Sequence, residues 1–294
     1  MMKRIIQYLK VLFIGVYMGC SGDGEIGNIE PLTPDYELPQ GKSSADNRIV
    51  EIYDQYRSYI LYEYADKDVY YDDGIDETRI AYQLPDPKYV EGMMDLLDKI
   101  WFNIYSEKFH RQTLPYQIFL AKEIHKLSDG EVVSEEFVYS GANSFIIGKC
   151  NENLNEITEE EIREYKNTLQ VKLWAYLKQY AYIDFPEEFF EVSDYSKVAI
   201  IEDKTSPDYA RARGFVEGYQ RTRNWYTQLL YPANAIDKDI DVITFIECMV
   251  TRSAEEWKDD LTWPLVKEKY DILRNWMQKH YSFDIQYVGD LFCE

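Results

Sequence analysis

The chain has 294 residues, with 53 acidic against 32 basic side chains and a formal net charge of −21. A surface this negative repels phosphate backbones and anionic headgroups, which excludes nucleic acid as a partner and broad adhesion to an acidic bilayer. Apolar residues at 46% are ample for a core, and the length suits one or two domains.

The first segment bears on the compartment. Lys3, Arg4 and Lys10 precede or flank a short apolar run over residues 11–19, which leads into Cys20. A basic start, a short apolar stretch and small residues near the cut describe a secretory signal. The run is too short to cross a bilayer as a helix, which takes about 20 residues. Tyr17-Met18-Gly19-Cys20 resembles a bacterial lipobox, with Tyr17 an unusual first residue. The resemblance implies cleavage before Cys20, lipid on its sulfur and anchorage in the outer membrane, where each buried CH₂ contributes about 0.8 kcal/mol. Ser21-Gly22-Asp23-Gly24-Glu25 resembles the acidic export signal of surface lipoproteins, and it reads equally as a solvated tether. Pro31, Pro34 and Pro39 keep such a tether extended. The expected organisation is a signal peptide over 1–19, a tether over 20–47 and a single domain over 48–294, with an N-terminal α/β part (48–150) and a helical part (151–294). Cys150, Cys248 and Cys293 are an odd trio, not a complete disulfide framework, and are expected as buried thiols.

Residues 49–64 are predicted as a helix, with Tyr53, Tyr56, Tyr59 and Tyr62 spaced as a buried stripe. Residues 79–84 suit a short strand. Asp86-Pro87 opens a helix, acid as cap and proline in the first turn. Val90, Met93, Met94, Leu97, Ile100, Trp101 and Ile104 mark its buried face. Residues 115–121, 136–140 and 144–149 have strand composition, and Gly141-Ala142-Asn143 reads as a hairpin turn. Thr158-Glu159-Glu160-Glu161 is a capping box that starts a helix running to about residue 181. Ser206-Pro207 is read as the cap of a helix containing Gly214-Phe215-Val216, and Asp241 as the residue before the next, with Val242, Phe245, Ile246, Met249 and Val250 inward. Pro264 begins the last predicted helix, which ends near Tyr281. The fold class is α+β: a small mid-chain sheet and a helix-rich second half.

Several short motifs then fall in a familiar order. They are Leu114-Pro115 before the strand at 116–120, the hairpin over 140–148, Gly214-Phe215-Val216 with Tyr219, Thr244-Phe245-Ile246-Glu247-Cys248-Met249, and Phe283-Asp284-Ile285 with Leu291. Through them, about two thirds of the chain resembles the zinc-binding metallopeptidase lipoproteins of gut bacteria, which implies a zincin-like body. In that family the active helix carries H-E-F-A-H: two histidines one turn apart hold zinc, and the glutamate activates the bound water. The matching stretch here is Lys172-Leu173-Trp174-Ala175-Tyr176. An ammonium offers no lone pair, a leucine accepts no proton, and a phenol with an ordinary pKa near ~10 is a poor ligand at neutral pH. Glu247 matches the family's candidate third ligand; its other reading is a solvent-facing helical acid. The family geometry also allows Lys172 and Glu247 to pair where the metal would stand.

Only three histidines exist, and none lies a helical turn from another: His110 is expected at a surface or turn, His125 exposed after a strand, His280 at a helix C-terminus. A zinc site of Glu247 with His125 or His280 is the route left to metal. No GxSxG elbow, phosphate-cradling glycine loop or Cys/His zinc cluster occurs. The aromatic content, with 27 tyrosines, suits sugar stacking as well as ordinary packing; Tyr70-Tyr71 and Trp225-Tyr226 are the candidate exposed pairs. The expectation is a surface-anchored lipoprotein without catalysis or cofactor, binding a protein, peptide or glycan. The alternatives are an active zinc peptidase with unconventional ligands, and a glycan-binding accessory protein of nutrient uptake.

Overall fold

The computed structural model describes residues 36–71, 75–197, 199–201, 203–217 and 237–293. The signal and lipobox, Cys20, the acidic stretch after it, Pro31, Pro34, Tyr219, Trp225 and Tyr226 lie outside them. The packed unit begins at Leu38, within the segment read as tether. Gln40 Nε2 donates to the Glu63 carbonyl at 2.6 Å, and the Lys42 amide to the Tyr62 hydroxyl at 3.0 Å.

Helix α1 (Asp46–Tyr56) stops where Arg57 turns left-handed, φ 60°, and its amide bonds back to the Tyr53 carbonyl at 2.8 Å. The single helix predicted over 49–64 is therefore a helix followed by strand β1 (Tyr59–Leu61), and the tyrosine stripe divides: Tyr59 and Tyr62 are buried beyond the helix. Next come α2 (Asp66–Tyr70) and β2 (Ile80–Gln83). The Asp86 carboxylate accepts from the Lys88 amide at 3.1 Å and opens a 3₁₀ turn that leads into α3 (Val90–Leu97) and a π-turn to Phe102. Its predicted inward face is buried throughout, Val90 to Trp101. After α4 (Glu107–Thr113) come β3 (Gln117–Leu120), β4 (Glu123–Ser128), β5 (Glu131–Glu135), β6 (Val138–Ser140) and β7 (Ser144–Ile147).

One sheet has the order β1-β3-β7-β6, its first three strands parallel and its last pair an antiparallel hairpin. All four residues of β7 are buried, as expected of a central parallel strand. A second, antiparallel sheet has the order β2-β4-β5 and corrects the single sheet of the sequence reading. Its hairpin turn is Asp129-Gly130, with φ 53° and 83°. Two left-handed residues in a row match the twist of the flanking strands, and Asp-Gly is a common solution.

The second half is helical: α5 (Glu159–Gln179), α6 (Glu187–Glu191), α7 (Lys238–Thr251), α8 (Pro264–Tyr281) and α9 (Ile285–Asp290). The capping box forms, with the Glu161 amide donating to Thr158 Oγ1 at 3.2 Å and the Thr158 amide to Glu161 Oε2 at 2.8 Å. Three expectations change. Ser206-Pro207 starts no long helix; a 3₁₀ turn over Arg211–Arg213 ends at Gly214, φ 83°. Asp237, not Asp241, precedes and caps α7, accepting from the Asp239 amide at 2.7 Å. α8 is followed by α9, so it is not the last helix.

Asp241 lies inside α7 and is buried for a reason. Its Oδ2 accepts from Lys269 Nζ and from the Tyr195 hydroxyl, both at 2.5 Å. The ammonium is also enclosed by the rings of Phe215, Phe189, Tyr195 and Phe245, at 4.6, 4.7, 5.2 and 5.6 Å, contacts that favour a cation. Gly214 makes this possible. A Cβ there would lie 2.8 Å from Ser193 Oγ, and the turn delivers Phe215 to the cage. Burial pushes the Asp241 carboxyl up and the Lys269 ammonium down, and their mutual attraction opposes both shifts. The close contact and the four rings favour the ionised pair. Asp241→Asn should cost about 3–5 kcal/mol in urea unfolding, because it leaves a buried charge uncompensated. The double variant Asp241→Leu/Lys269→Met should recover most of that loss; if it is no more stable than the single variant, the pair does not act as a unit.

Candidate functional site

The predicted site stretch lies in the C-terminal half of α5. Leu173 and Trp174 are wholly buried, Tyr176 is 2% exposed, and Lys172 and Ala175 are half-buried. A closed chain of hydrogen bonds fills this side of the helix. Trp174 Nε1 donates to the Tyr105 hydroxyl at 3.0 Å, that hydroxyl bonds Gln170 Oε1, and Gln170 Nε2 donates to the Ile100 carbonyl at 2.7 Å. The Tyr176 ring packs edge-on against Phe145 at 5.0 Å and stacks on Tyr182 at 5.3 Å. Lys172 and Tyr176 are one turn apart on α5. Glu247 comes from α7, the helix packed along it, and is 3% exposed, which overturns the solvent-facing reading.

Lys172 borders a hollow of about 710 Å³, together with Arg79, Lys126, Asp129, Glu136 and Tyr139. Lys269 and Asp241 form a buried lysine–carboxylate pair in this half of the molecule.

The histidines occupy three separate elements. His110 is a correction: it sits in α4, 2% exposed, its Nε2 bonded to the Phe102 carbonyl at 2.9 Å and its ring edge-on to Tyr56 at 5.5 Å and Tyr105 at 6.0 Å. Burial pushes its pKa down, against the pull of the carbonyl. His125 lies within β4, a strand absent from the sequence reading, and its Nε2 is 2.8 Å from Glu123 Oε2. His280 is exposed in the last turn of α8, stacked on Trp276 at 4.9 Å. No group of three or more His, Cys, Asp or Glu side chains placed to hold a metal occurs among the described residues.

The residues at the four matched positions do not fit zinc. Lys172 brings a cation, Leu173 is a buried hydrocarbon where a base would be needed, and Tyr176 is a buried phenol held among rings. Glu247 is then the sole carboxylate of the set, and one carboxylate makes no zinc site. Cys150 and Cys248 are free and buried, their thiols pushed up to about 12 chiefly by burial, while Cys293 is free and half-buried.

Sequence reasoning misses Lys166 and Gln170, both fully buried on α5. Lys166 Nζ donates to the carbonyls of Val250 and Val288, each at 2.9 Å. A signal was available: Lys166 sits on the apolar stripe of Ile162, Leu169, Leu173 and Leu177, where a charge must find buried partners.

No family model matches the chain, and no curated protein matches it. A crystal structure of a "putative zinc-binding metallo-peptidase" from Bacteroides caccae ATCC 43185 is similar, at 11% identity and a TM-score of 0.49, over 87% of this chain and 93% of that chain.

Burial lowers the Lys166 pKa from its ordinary 10.5 to about 8. Between those values the folded chain binds fewer protons than the unfolded one, so this group's contribution makes stability rise with pH from about 8 to about 10.5. The rise should be on the order of 3 kcal/mol. It should appear as the difference in unfolding free energy between the native protein and Lys166→Met, measured across that window; a difference that stays flat contradicts the shift.

Proposed function

We propose that this chain is a surface-anchored lipoprotein whose metallopeptidase-like body binds a ligand without cleaving it. One observation carries the second half of that reading. At the place where the sequence resemblance calls for a water-activating carboxylate, α5 presents Leu173 with its side chain wholly buried. Its flanks are equally committed to packing, with Trp174 in the hydrogen-bond chain to Tyr105 and Tyr176 against Phe145. A general base must reach the proton it removes, and a buried hydrocarbon in that place supplies none. The lipoprotein half rests on the register of the basic start, the apolar run and Cys20.

The two halves are tested separately. Mature protein expressed without its signal and dialysed against a weak chelator should hold far less than one equivalent of zinc by mass spectrometry, and should leave casein and short peptides intact. One tight equivalent of zinc, lost in Tyr176→Phe or Glu247→Gln, together with peptide cleavage, overturns the non-catalytic reading. For the anchor, cells fed labelled palmitate should label the full-length protein. Cys20→Ala should abolish the label and move the protein from the membrane fraction to the soluble one. Label retained in that variant would place the lipid elsewhere.

A further inference from the structure

The hollow beside Lys172 is built from both halves of the chain. Arg79 comes from the entry to β2, Lys126 from β4, Asp129 from the hairpin turn, Glu136 and Tyr139 from the approach to β6 and from β6 itself, and Lys172 from α5. Its volume of about 710 Å³ falls within the ~300–1,000 Å³ of small-ligand sites.

Its lining carries three cations, Arg79, Lys126 and Lys172, against two carboxylates, Asp129 and Glu136. With 53 acids against 32 basic groups, carboxylates are plentiful, and most described cations have one within 4 Å. Arg79 and Lys126 are among those with no ion pair at that distance among the described residues, although Asp76 lies near enough to Arg79 to feel its charge, and both line the same hollow. The ladder between β4 and β5 also slips at Lys126/Leu127, where both residues face the hollow. A bulge of this kind re-aims a side chain, and bulges recur beside binding sites. The backbone fixes the two segments at one edge of the hollow, where the Leu127 amide donates to the Arg79 carbonyl at 2.7 Å. Arg79 also acts on Tyr139: burial raises the pKa of that phenol, and the nearby guanidinium pulls it down.

The remaining groups narrow the ligand. Asp129 and Glu136 would repel a densely charged anion such as a phosphate or sulfate cluster. They accept hydrogen bonds well from neutral hydroxyls. Thr78 and Ser128 add hydroxyls, and Leu127 and Tyr139 are the chief apolar surfaces, so a ligand with large hydrocarbon side chains has little to bury against. A guanidinium and an ammonium lining one hollow suit a planar carboxylate. Resting on the non-catalytic binding reading above, we propose that this hollow binds a short uronate-bearing oligosaccharide. Arg79 and Lys126 take a sugar carboxylate, Asp129 and Glu136 take ring hydroxyls, and Tyr139 offers an aromatic edge or face.

Titration calorimetry of the mature protein with tri-galacturonate, neutral galactotriose and tri-alanine tests the assignment. Tri-galacturonate should bind, and galactotriose should bind at least about tenfold more weakly, the scale of one charge-assisted hydrogen bond. Arg79→Gln and Lys126→Gln should each weaken tri-galacturonate by about ten- to hundredfold while leaving the melting temperature unchanged, since both side chains are exposed. Raising salt should weaken the native protein more than either variant. The proposal is overturned if tri-galacturonate fails to bind, if it binds no better than galactotriose, if both variants keep native affinity, or if tri-alanine binds and the uronate does not. Those failures leave the zinc measurement untouched. Conversely, stoichiometric zinc with cleavage would sink the non-catalytic reading even where the uronate binds.

Discussion

The ammonium of Lys166 determines where three helices meet. It lies at zero exposure on α5 and donates to Val250 O and Val288 O, in the last turns of α7 and α9. Those turns carry carbonyls without helical partners and the negative ends of two helix dipoles. A cation placed there satisfies acceptors that burial would otherwise strand. Gly289 lets the backbones close on it: a Cβ at that position would lie 2.3 Å from the carbonyls of Arg252 and Met249. The contact fixes the height and rotation of α7 against α5, and α7 in turn points Asp241 at Lys269 and carries Glu247 into the interior.

The same logic governs the other interior cations. Lys269 is matched by one carboxylate and four rings. Arg211 and Arg252 share Asp260, a carboxylate 4% exposed. Because unpaired charge is so costly away from water, each of these groups is tied to a defined acceptor. Arg79 and Lys126 belong with the exposed cations: water already solvates them, and a ligand carboxylate would replace that water rather than rescue a stranded charge. The division separates cations that hold the fold from cations available for recognition.

Much of the architecture was legible because it follows from periodicity and capping chemistry. The Thr158 box, the Pro264 start and the inward stripes of α3 and α7 depend on local spacing alone, and they occur where read. Boundaries set by distant partners were not legible. Tyr59 continues the helical spacing of Tyr53 and Tyr56, but pairing of β1 with β3 takes it into a strand. Ser206-Pro207 has the form of a helix cap, but the bridge from Ile200 to Tyr209 and the demand for Phe215 beside Lys269 keep that segment in turns. The β4–β5 hairpin is signalled by Asp129-Gly130, but its strands mix polar and apolar residues on both faces and give no clean alternation. At the candidate site, the character of Lys172, Leu173 and Tyr176 could be read from residue type, whereas the burial of Glu247 and the place of Arg79 and Lys126 at one hollow required the packed helices and sheets.

The acceptors for Lys166 stand 84 and 122 residues further along the chain. While the polypeptide is emerging, α5 can wind on its own capping box, but its inner face has nothing to receive that ammonium until both later segments have arrived. The surroundings of Lys166 are therefore complete only once the last described helix is in place, and until then the apolar stripe of α5 lacks part of its cover.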